Sequence, residues 1–201
     1  MKIVLASSNE HKVKEINEIV GRLYQSDNNK TDEHKSIEFI LPPSGFDPEE
    51  NGITFEENSF IKANEAWKLT KNWVLADDSG LCIDALDGKP GIYSARYAET
   101  PQKRIDRVLN EMQGKENRNA HFACCMTLIQ PNGEIAFSYT GICEGSIVEE
   151  QRGQNGFGYD PIFLVKNSMK TMAELSEEEK NKISHRSVAL NKVIEYLKAL
   201  D

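Results

Sequence analysis

The feature that most limits the fold is a short apolar run, Trp73 to Ala76, which ends at Asp77 and Asp78, followed by Ser79 and Gly80. The apolar, strand-favouring residues predict a buried strand. Successive strand side chains point to opposite faces, so only one of the two carboxylates can face a given ligand while the chain stays extended. That carboxylate can hold a divalent metal or take a proton from water. Taken alone, the segment favours a turn instead, because Asp, Ser and Gly all suit turns.

Length and charge restrict the class of protein. At 201 residues with 39% apolar and 28% charged residues, one large domain or two packed lobes can bury a sizeable core. No apolar run approaches the roughly 20 residues that span a bilayer. The N-terminus turns polar too early for a signal peptide, and it predicts a first strand instead. The net charge of -8 argues against a nonspecific nucleic-acid binder. We therefore expect neither a membrane nor a nucleic-acid partner.

The four cysteines, Cys82, Cys124, Cys125 and Cys143, show no CxxC pair and no zinc-like spacing to histidine. This pattern predicts reduced thiols in a cytoplasmic protein. Cys124 and Cys125 are neighbours in an apolar run, so we expect one to point inward and the other outward.

The remaining patterns alternate between strand and helix. Strands are predicted at residues 2–6, 37–41, 120–130, 134–143 and 162–165, with a further candidate at 145–150. Helices are predicted after caps at Ser8 or Asn9, Thr54, Thr100 and Ser176, and a last helix carries Val188 to Leu197. Two capping boxes, Thr54 with Glu57 and Ser176 with Glu179, mark helix starts. Pro131-Asn132-Gly133 predicts a hairpin turn.

Two loops have the character of ligand sites. Free N–H groups at a helix start after Ser7-Ser8-Asn9 suit an anion. Lys12 opposes the helix dipole there, which favours a bound anion, although a solvated surface lysine is the open alternative. The glycine-rich residues 153–161 are not a GxGxxG motif. Phe157 and Tyr159 in that loop can stack on a planar base, or they can equally pack the loop onto the sheet.

Together these parts suit a nucleoside triphosphate: cations and N–H groups for phosphates, carboxylates for a metal, and aromatic rings for a base. The motifs GxSxG and GxxxxGK[ST] are both absent. Their absence argues against a Ser-His-Asp hydrolase and against a P-loop protein. The basic residues that we assign to this candidate site are Lys12, Lys62, Lys180 and Arg186.

The sequence resembles the inosine triphosphate pyrophosphatase family. The segments that carry the resemblance span nearly the whole chain, and they are residues 7–12, 52–58, 75–81, 90–97, 156–161 and 172–186. Two departures are small residues: Ser8 stands where many members have Gly, and Ser59 where Ala is common.

The resemblance implies an α/β fold with an elongated mixed β-sheet flanked by helices. It implies that residues 1–201 form a single domain of two lobes with a central cleft, assembled as a homodimer. It also implies Mg²⁺-dependent hydrolysis of ITP, dITP and XTP to the monophosphate and pyrophosphate, which keeps these nucleotides out of DNA and RNA. A pyrophosphatase acting on dTTP or UTP, and a nucleotide-binding regulator without turnover, are the alternatives.

Carried over by position, Asp78 matches the catalytic carboxylate, which accepts a proton and binds the metal. Glu49 matches a second metal ligand, with Glu50 and Glu57 as alternatives. The positions matching substrate contacts are Ser7, Ser8, Asn9, Glu10, His11, Lys12, Lys62, Ser79, Phe157, Gly158, Tyr159, Asp160, Lys180, His185 and Arg186. Arg186 and His185 would donate to the 6-oxo group that distinguishes hypoxanthine and xanthine from adenine.

Overall fold

Strands and helices alternate in the first part of the chain. The computed structural model describes residues 1–7, 10–25 and 37–200, and it describes only the backbone of residues 10–12, 14 and 22–25. The elements are β1 (Lys2–Leu5), α1 (Glu10–Gln25), β2 (Glu38–Ile40), α2 (Phe55–Thr70) and β3 (Trp73–Ile83). β1 pairs in parallel with both β2 and β3, as expected where helices connect neighbouring strands.

The second part of the chain adds antiparallel pairing. Its elements are α3 (Pro101–Glu111), β4 (Asn119–Ile129), β5 (Ile135–Ile147), β6 (Phe163–Val165), α4 (Glu177–Ile183) and α5 (His185–Lys198). The sheet order is β2-β1-β3-β4-β5-β6, and β6 is antiparallel to β5. The predicted α/β fold with a mixed sheet is confirmed. Within the described ranges, no helix has the length and apolar character needed to cross a membrane.

Local signals in the sequence set several of these boundaries. Thr100 Oγ1 accepts a hydrogen bond from Lys103 N at 3.2 Å, and Pro101 occupies the first turn of α3. Ser176 and Glu179 form the predicted capping box of α4. The hairpin between β4 and β5 is closed by a bond from Gln130 N to the carbonyl of Glu134 at 3.0 Å.

The chain divides into two compact units. The first comprises Met1–Asp78, Cys125–Thr140 and Ala189–Asp201. Its core is built from β1, β3, β4 and α2, and it contains Val4, Ala6, Ala63, Ala66, Val74, Ala76 and Ile129. The alanines of α2 are fully buried, and such small side chains let a helix backbone lie close to a sheet.

The second unit comprises Ser79–Cys124 and Gly141–Val188. Its core is larger and richer in aromatic residues, and it includes Leu81, Ile83, Ile105, Val108, Met112, Phe122, Ile147, Tyr159 and Phe163. The rings of Phe122 and Phe163 lie 4.5 Å apart between centroids, a separation typical of favourable aromatic pairs.

β3 differs from the sequence prediction. The strand does not stop at the acid pair but runs on through Asp77 and Asp78 to Ile83, so the turn favoured there is wrong. Gly80 is extended rather than turned. An added Cβ would lie 2.2 Å from the carbonyl oxygen of Gly91. Glycine is therefore needed at position 80 because the backbone at Gly91 lies close to it.

Two further expectations need correction. Cys124 and Cys125 are both fully buried, because β4 lies inside the sheet and is covered on both faces. The candidate strand at 145–150 is not separate: β5 continues to Ile147. All four cysteines are free thiols, as predicted.

Candidate active site

Helix α2 begins with a modified form of the predicted capping box. Thr54 Oγ1 accepts a hydrogen bond from Glu57 N at 3.1 Å, as expected. The Glu57 carboxylate reaches one residue further back and accepts from Ile53 N at 2.7 Å. The cap fixes where α2 starts. Asn58 and Lys62 then fall four residues apart, on one face of the helix.

Both oxygens of the Asp78 carboxylate receive hydrogen bonds from that face. Lys62 Nζ donates to Oδ1 at 3.2 Å, and Asn58 Nδ2 donates to Oδ2 at 3.3 Å. Asp78 is only 5% exposed. A buried carboxylate needs such donors, since removing a charge from water is costly unless it is paired. This explains why β3 can continue through the acid pair.

Lys62 connects Asp78 to the loop before α2. Its Nζ also donates to Glu50 Oε1 at 3.1 Å. Burial by itself would lower the pKa of Lys62, but attraction from Asp78, Asp77 and Glu50 together raises this pKa above its ordinary value. Lys62 therefore stays protonated at neutral pH. We call Glu50, Asn58, Lys62 and Asp78 the Asp78 cluster.

The Asp78 cluster has the donor set of a magnesium site. The ammonium group of Lys62 lies within 3.2 Å of a carboxylate oxygen of both Glu50 and Asp78. The two carboxylates are therefore close enough to share one cation. Mg²⁺ prefers oxygen and commonly takes one or two carboxylates together with substrate phosphates. No group of three or more His, Cys, Asp or Glu side chains suited to a metal occurs among residues 1–7, 10–25 and 37–200. Glu50 and Asp78 could supply two oxygen ligands to Mg²⁺, and substrate phosphates would supply others.

The acidic loop (residues 47–52) places its glutamates differently. Glu50 is half-buried and reaches Lys62, whereas Glu49 is exposed. Glu50, named from the sequence only as an alternative, is thus joined to Asp78 through Lys62. Asn58 was missed as a site residue. Its signal was the position one helical turn before Lys62.

A second cluster lies in the glycine-rich loop of the second unit. Asp160 Oδ2 accepts from Lys180 Nζ at 2.7 Å and from Phe157 N at 2.9 Å. The Lys180 ammonium also lies 4.7 Å from the centre of the Phe157 ring, within the range of a cation–π contact. We call Gly156, Phe157, Asp160 and Lys180 the Lys180 cluster.

Gly156 makes this cluster possible. Its φ is +74°, and an added Cβ would lie 2.0 Å from Asp160 Oδ2. The position therefore requires both left-handed backbone and an absent side chain. By contrast, Gly158 has a φ of +63° and open space around its missing Cβ.

Tyr159 is packed in the core of the second unit. Its side chain is 5% exposed, and its hydroxyl donates to the carbonyl of Ser94 at 2.9 Å. Burial raises its pKa. This burial and this hydrogen bond favour the packing alternative for Tyr159. Phe157 is the half-buried aromatic residue of this loop.

The His185–Arg186 pair starts α5 and is buried. His185 stacks on Phe122 with ring centroids 4.9 Å apart. Arg186 is 1% exposed, and its Nη2 donates to Ser79 Oγ at 3.0 Å. Ser79 lies in β3, so this bond joins two predicted substrate positions that are far apart in sequence.

The N-terminal predictions are placed only in part. Ser7 is half-buried after β1, and its N–H donates to the carbonyl of Leu5 at 2.8 Å. Glu10, His11 and Lys12 form the first turn of α1. Ser8 and Asn9 lie outside the described residues.

Comparison with known proteins identifies relatives of this chain. The sequence profile of the Ham1 family matches residues 3–196. A dITP/XTP pyrophosphatase of Prochlorococcus marinus subsp. pastoris is 43% identical over 193 residues, covering 96% of this chain and 95% of that protein. A dITP/XTP pyrophosphatase of Bacillus subtilis is 48% identical over 182 residues, covering 82% of this chain and 91% of its own. The solved Ham1 protein of Staphylococcus aureus superposes with a TM-score of 0.85 at 38% identity, covering 100% of both chains.

Proposed function

Because this chain belongs to the Ham1 family, we propose that it is a nucleoside-triphosphate pyrophosphatase acting on the non-standard purine nucleotides ITP, dITP and XTP. Water attacks the α-phosphorus, the α–β anhydride bond breaks, and the products are the monophosphate and pyrophosphate. Curated relatives that are 43% and 48% identical are dITP/XTP pyrophosphatases. The observation that carries the chemistry is the Asp78 cluster, a buried carboxylate held by two donors and linked to a second carboxylate.

Asp78 acts as the proton acceptor for the attacking water. Its oxygens are fixed by Lys62 and Asn58, so the carboxylate is oriented before substrate arrives. Lys62 stabilises the negative charge that develops on the phosphates, and its raised pKa keeps it charged for this role. The helix start after Ser7, with Lys12 in its first turn, adds N–H groups and a further cation for phosphate.

Magnesium is the proposed cofactor. Asp78 with Glu50 or Glu49 of the acidic loop would hold it, and the bound ion would polarise phosphate oxygens and offset the charge of the leaving pyrophosphate. In the Asp78 cluster, the ammonium group of Lys62 contacts both carboxylates, and this supports the assignment.

Base recognition is assigned to the second unit. Arg186 has only donors, and it is buried beside His185, so it matches the 6-oxo acceptor of hypoxanthine and xanthine. Adenine presents an amino donor at that position, so its amino group and the Arg186 guanidinium would face each other as two donors. Phe157 supplies an aromatic face, while Lys180 and Asp160 hold its loop in place.

The wider setting is also proposed. We take both units as lobes of one functional domain, since β3, β4 and β5 each contribute residues to both. A homodimer is supported by the family resemblance, and sedimentation equilibrium would test it. Four free cysteines and a nucleotide-pool substrate support a cytoplasmic location. The net charge of -8 supports the absence of a nucleic-acid partner.

A substrate panel tests the function. Purified protein is assayed for pyrophosphate release from dITP, XTP, ITP, ATP, GTP, dTTP and UTP, with and without Mg²⁺. We expect rapid release from the first three with Mg²⁺ and slow release from the rest. Preference for dTTP or UTP, or tight dITP binding without pyrophosphate release, would contradict the proposal.

A further inference from the structure

Asn58 occupies a position that its helix does not explain. It lies in the first turns of α2 and is fully buried, although Asn is not a strong helix former. Its Nδ2 donates to Asp78 Oδ2 at 3.3 Å, and its Oδ1 accepts from Gly52 N at 2.9 Å. One amide group therefore connects the carboxylate on β3 to the last residue of the acidic loop.

The chemistry of this connection requires an amide. Asp78 needs a donor and Gly52 N needs an acceptor, and a primary amide offers both at one rigid terminus. A leucine of similar shape would leave the Gly52 N–H and one carboxylate oxygen without these bonds, which is costly in a buried place. A carboxylate would keep the acceptor but would set a negative charge against Asp78.

The other end of the connection is equally restricted. A Cβ on Gly52 would lie 2.7 Å from Asn58 Oδ1 and 2.7 Å from Glu57 Cβ. Gly52 has no need of a left-handed backbone, so its role is to let the loop lie against the Asn58 amide. The loop and the amide fit only when residue 52 has no side chain.

We infer that Asn58 is a positioning residue that fixes the acidic loop and the Asp78 carboxylate in one arrangement. The inference rests on the proposed function, because it gives this arrangement the task of presenting Glu50 and Asp78 to Mg²⁺. Lys62 also joins Glu50 to Asp78, but through a cation that must share both carboxylates with the metal. Asn58 is neutral and binds Gly52 through the backbone, so its link does not compete with the metal for Glu50.

Two variants break the link from opposite sides. Asn58→Leu removes the amide, and Gly52→Ala pushes the loop away from it. Ser59→Ala is the matched control, because Ser59 is the next residue of α2 and is also fully buried. Its hydroxyl forms a hydrogen bond with Thr127 Oγ1 at 2.7 Å, so this bond joins α2 to β4 and does not involve Asp78. A loss of stability alone should therefore appear in all three variants.

The first readout needs neither metal nor substrate. Amide hydrogen exchange at Gly52, followed by NMR in the metal-free protein, should be slow in the wild type and in Ser59→Ala and much faster in Asn58→Leu. The second readout is Mg²⁺ affinity, measured by calorimetry on the free protein and as the half-saturating Mg²⁺ concentration for dITP turnover. Groups that orient metal ligands typically contribute about 10- to 100-fold in metal affinity. We expect a weakening of that order in Asn58→Leu and Gly52→Ala, with turnover partly recovered at saturating Mg²⁺.

The double variant completes the test. If both substitutions break one link, their effects on Mg²⁺ affinity should be strongly non-additive. Mg²⁺ affinity in Asn58→Leu equal to that of Ser59→Ala would overturn the inference, as would fully additive effects in the double variant. Failure of the wild type to release pyrophosphate from dITP would refute the proposed function instead. Gly52 exchange and calorimetric Mg²⁺ binding would still decide the role of Asn58.

Discussion

In the Asp78 cluster, the carboxylate of Asp78 accepts hydrogen bonds from two side chains. Lys62 and Asn58 each donate to a different oxygen of its carboxylate. This arrangement fixes the direction of the carboxylate at little cost in entropy when substrate binds. The neighbouring Asp77 is equally buried but points to the other face of β3. Asp78 combines burial, orientation by Lys62 and Asn58, and a link through Lys62 to the acidic loop.

Asp78→Asn should remove the proton acceptor while keeping the shape of the side chain. We expect dITP turnover to fall by about 10²- to 10⁴-fold, the usual contribution of a positioned base. Circular dichroism should show an unchanged fold. Asp84→Asn serves as a control, because Asp84 is exposed just after the end of β3 and should leave turnover unaltered. Substantial turnover in Asp78→Asn would refute its role as the base.

Arg186→Lys should erode base selectivity. Lysine keeps the positive charge but loses the planar fork of donors that a guanidinium offers. A mismatched buried hydrogen bond is worth about 1–3 kcal/mol, which corresponds to about 5- to 150-fold. We expect the preference for dITP over dATP, measured as the ratio of kcat/KM values, to fall within that range. Arg152→Lys, which makes the same exchange at an arginine paired with Glu174, should leave the ratio unchanged; a loss there too would contradict the assignment.

The glycine-rich loop is an element whose shape depends on two different properties of glycine. Gly156 and Gly158 share a positive φ, but only Gly156 lies against another group, the Asp160 carboxylate. Substituting each glycine in turn therefore separates the effect of backbone strain from the effect of a steric clash with Asp160. The Lys180–Asp160 pair is buried, so a displaced carboxylate there loses a partner that water cannot replace.

Gly158→Ala should cost about 1–2 kcal/mol of unfolding free energy, the usual price of a left-handed alanine. Gly156→Ala should cost more, because breaking a buried pair adds about 3–5 kcal/mol. Urea denaturation of both variants measures the difference. Equal losses would show that the contact between Gly156 and Asp160 contributes nothing.

Helix α4 should show acid-dependent stability through its capping box. The bond from Ser176 N, with help from Lys170, lowers the pKa of Glu179 from 4.5 to about 2. A lowered folded-state pKa means that the stabilisation is present above pH 4.5 and is lost as the pH falls towards 2. Glu179→Gln should therefore lower the urea midpoint near neutral pH, and the gap to wild type should close between these values. Glu177→Gln, in the same turn but outside the box, is the control; a gap that stays constant with pH would contradict this cause.

Elements were predictable where their signals are local. The Ser176–Glu179 box and the hairpin at Gly133 depend only on neighbouring residues, and both are confirmed. The course of β3 through Asp77 and Asp78 was not predictable. The donors that make it tolerable lie 20 and 16 residues away on α2. The burial of Tyr159 likewise depends on Ser94, 65 residues earlier.

At the scale of the whole molecule, the sequence indicates the family, and the structure shows which partners hold the site residues. The motifs from Ser7 to Arg186 point to the family, and the family profile matches residues 3–196. They do not show how each motif is held in place. The structure supplies the partners: Asn58 and Lys62 for Asp78, Asp160 for Lys180, and Ser79 for Arg186.

In the proposed mechanism, a water molecule directed by Asp78 attacks the α-phosphorus. Hydrolysis of dITP in ¹⁸O-labelled water, followed by mass spectrometry of both products, shows which phosphorus the water attacks. We expect the label to enter the monophosphate and the pyrophosphate to remain unlabelled, with the same large fall in rate in Asp78→Asn. Label in the pyrophosphate would place the attack on the β-phosphorus and refute this mechanism.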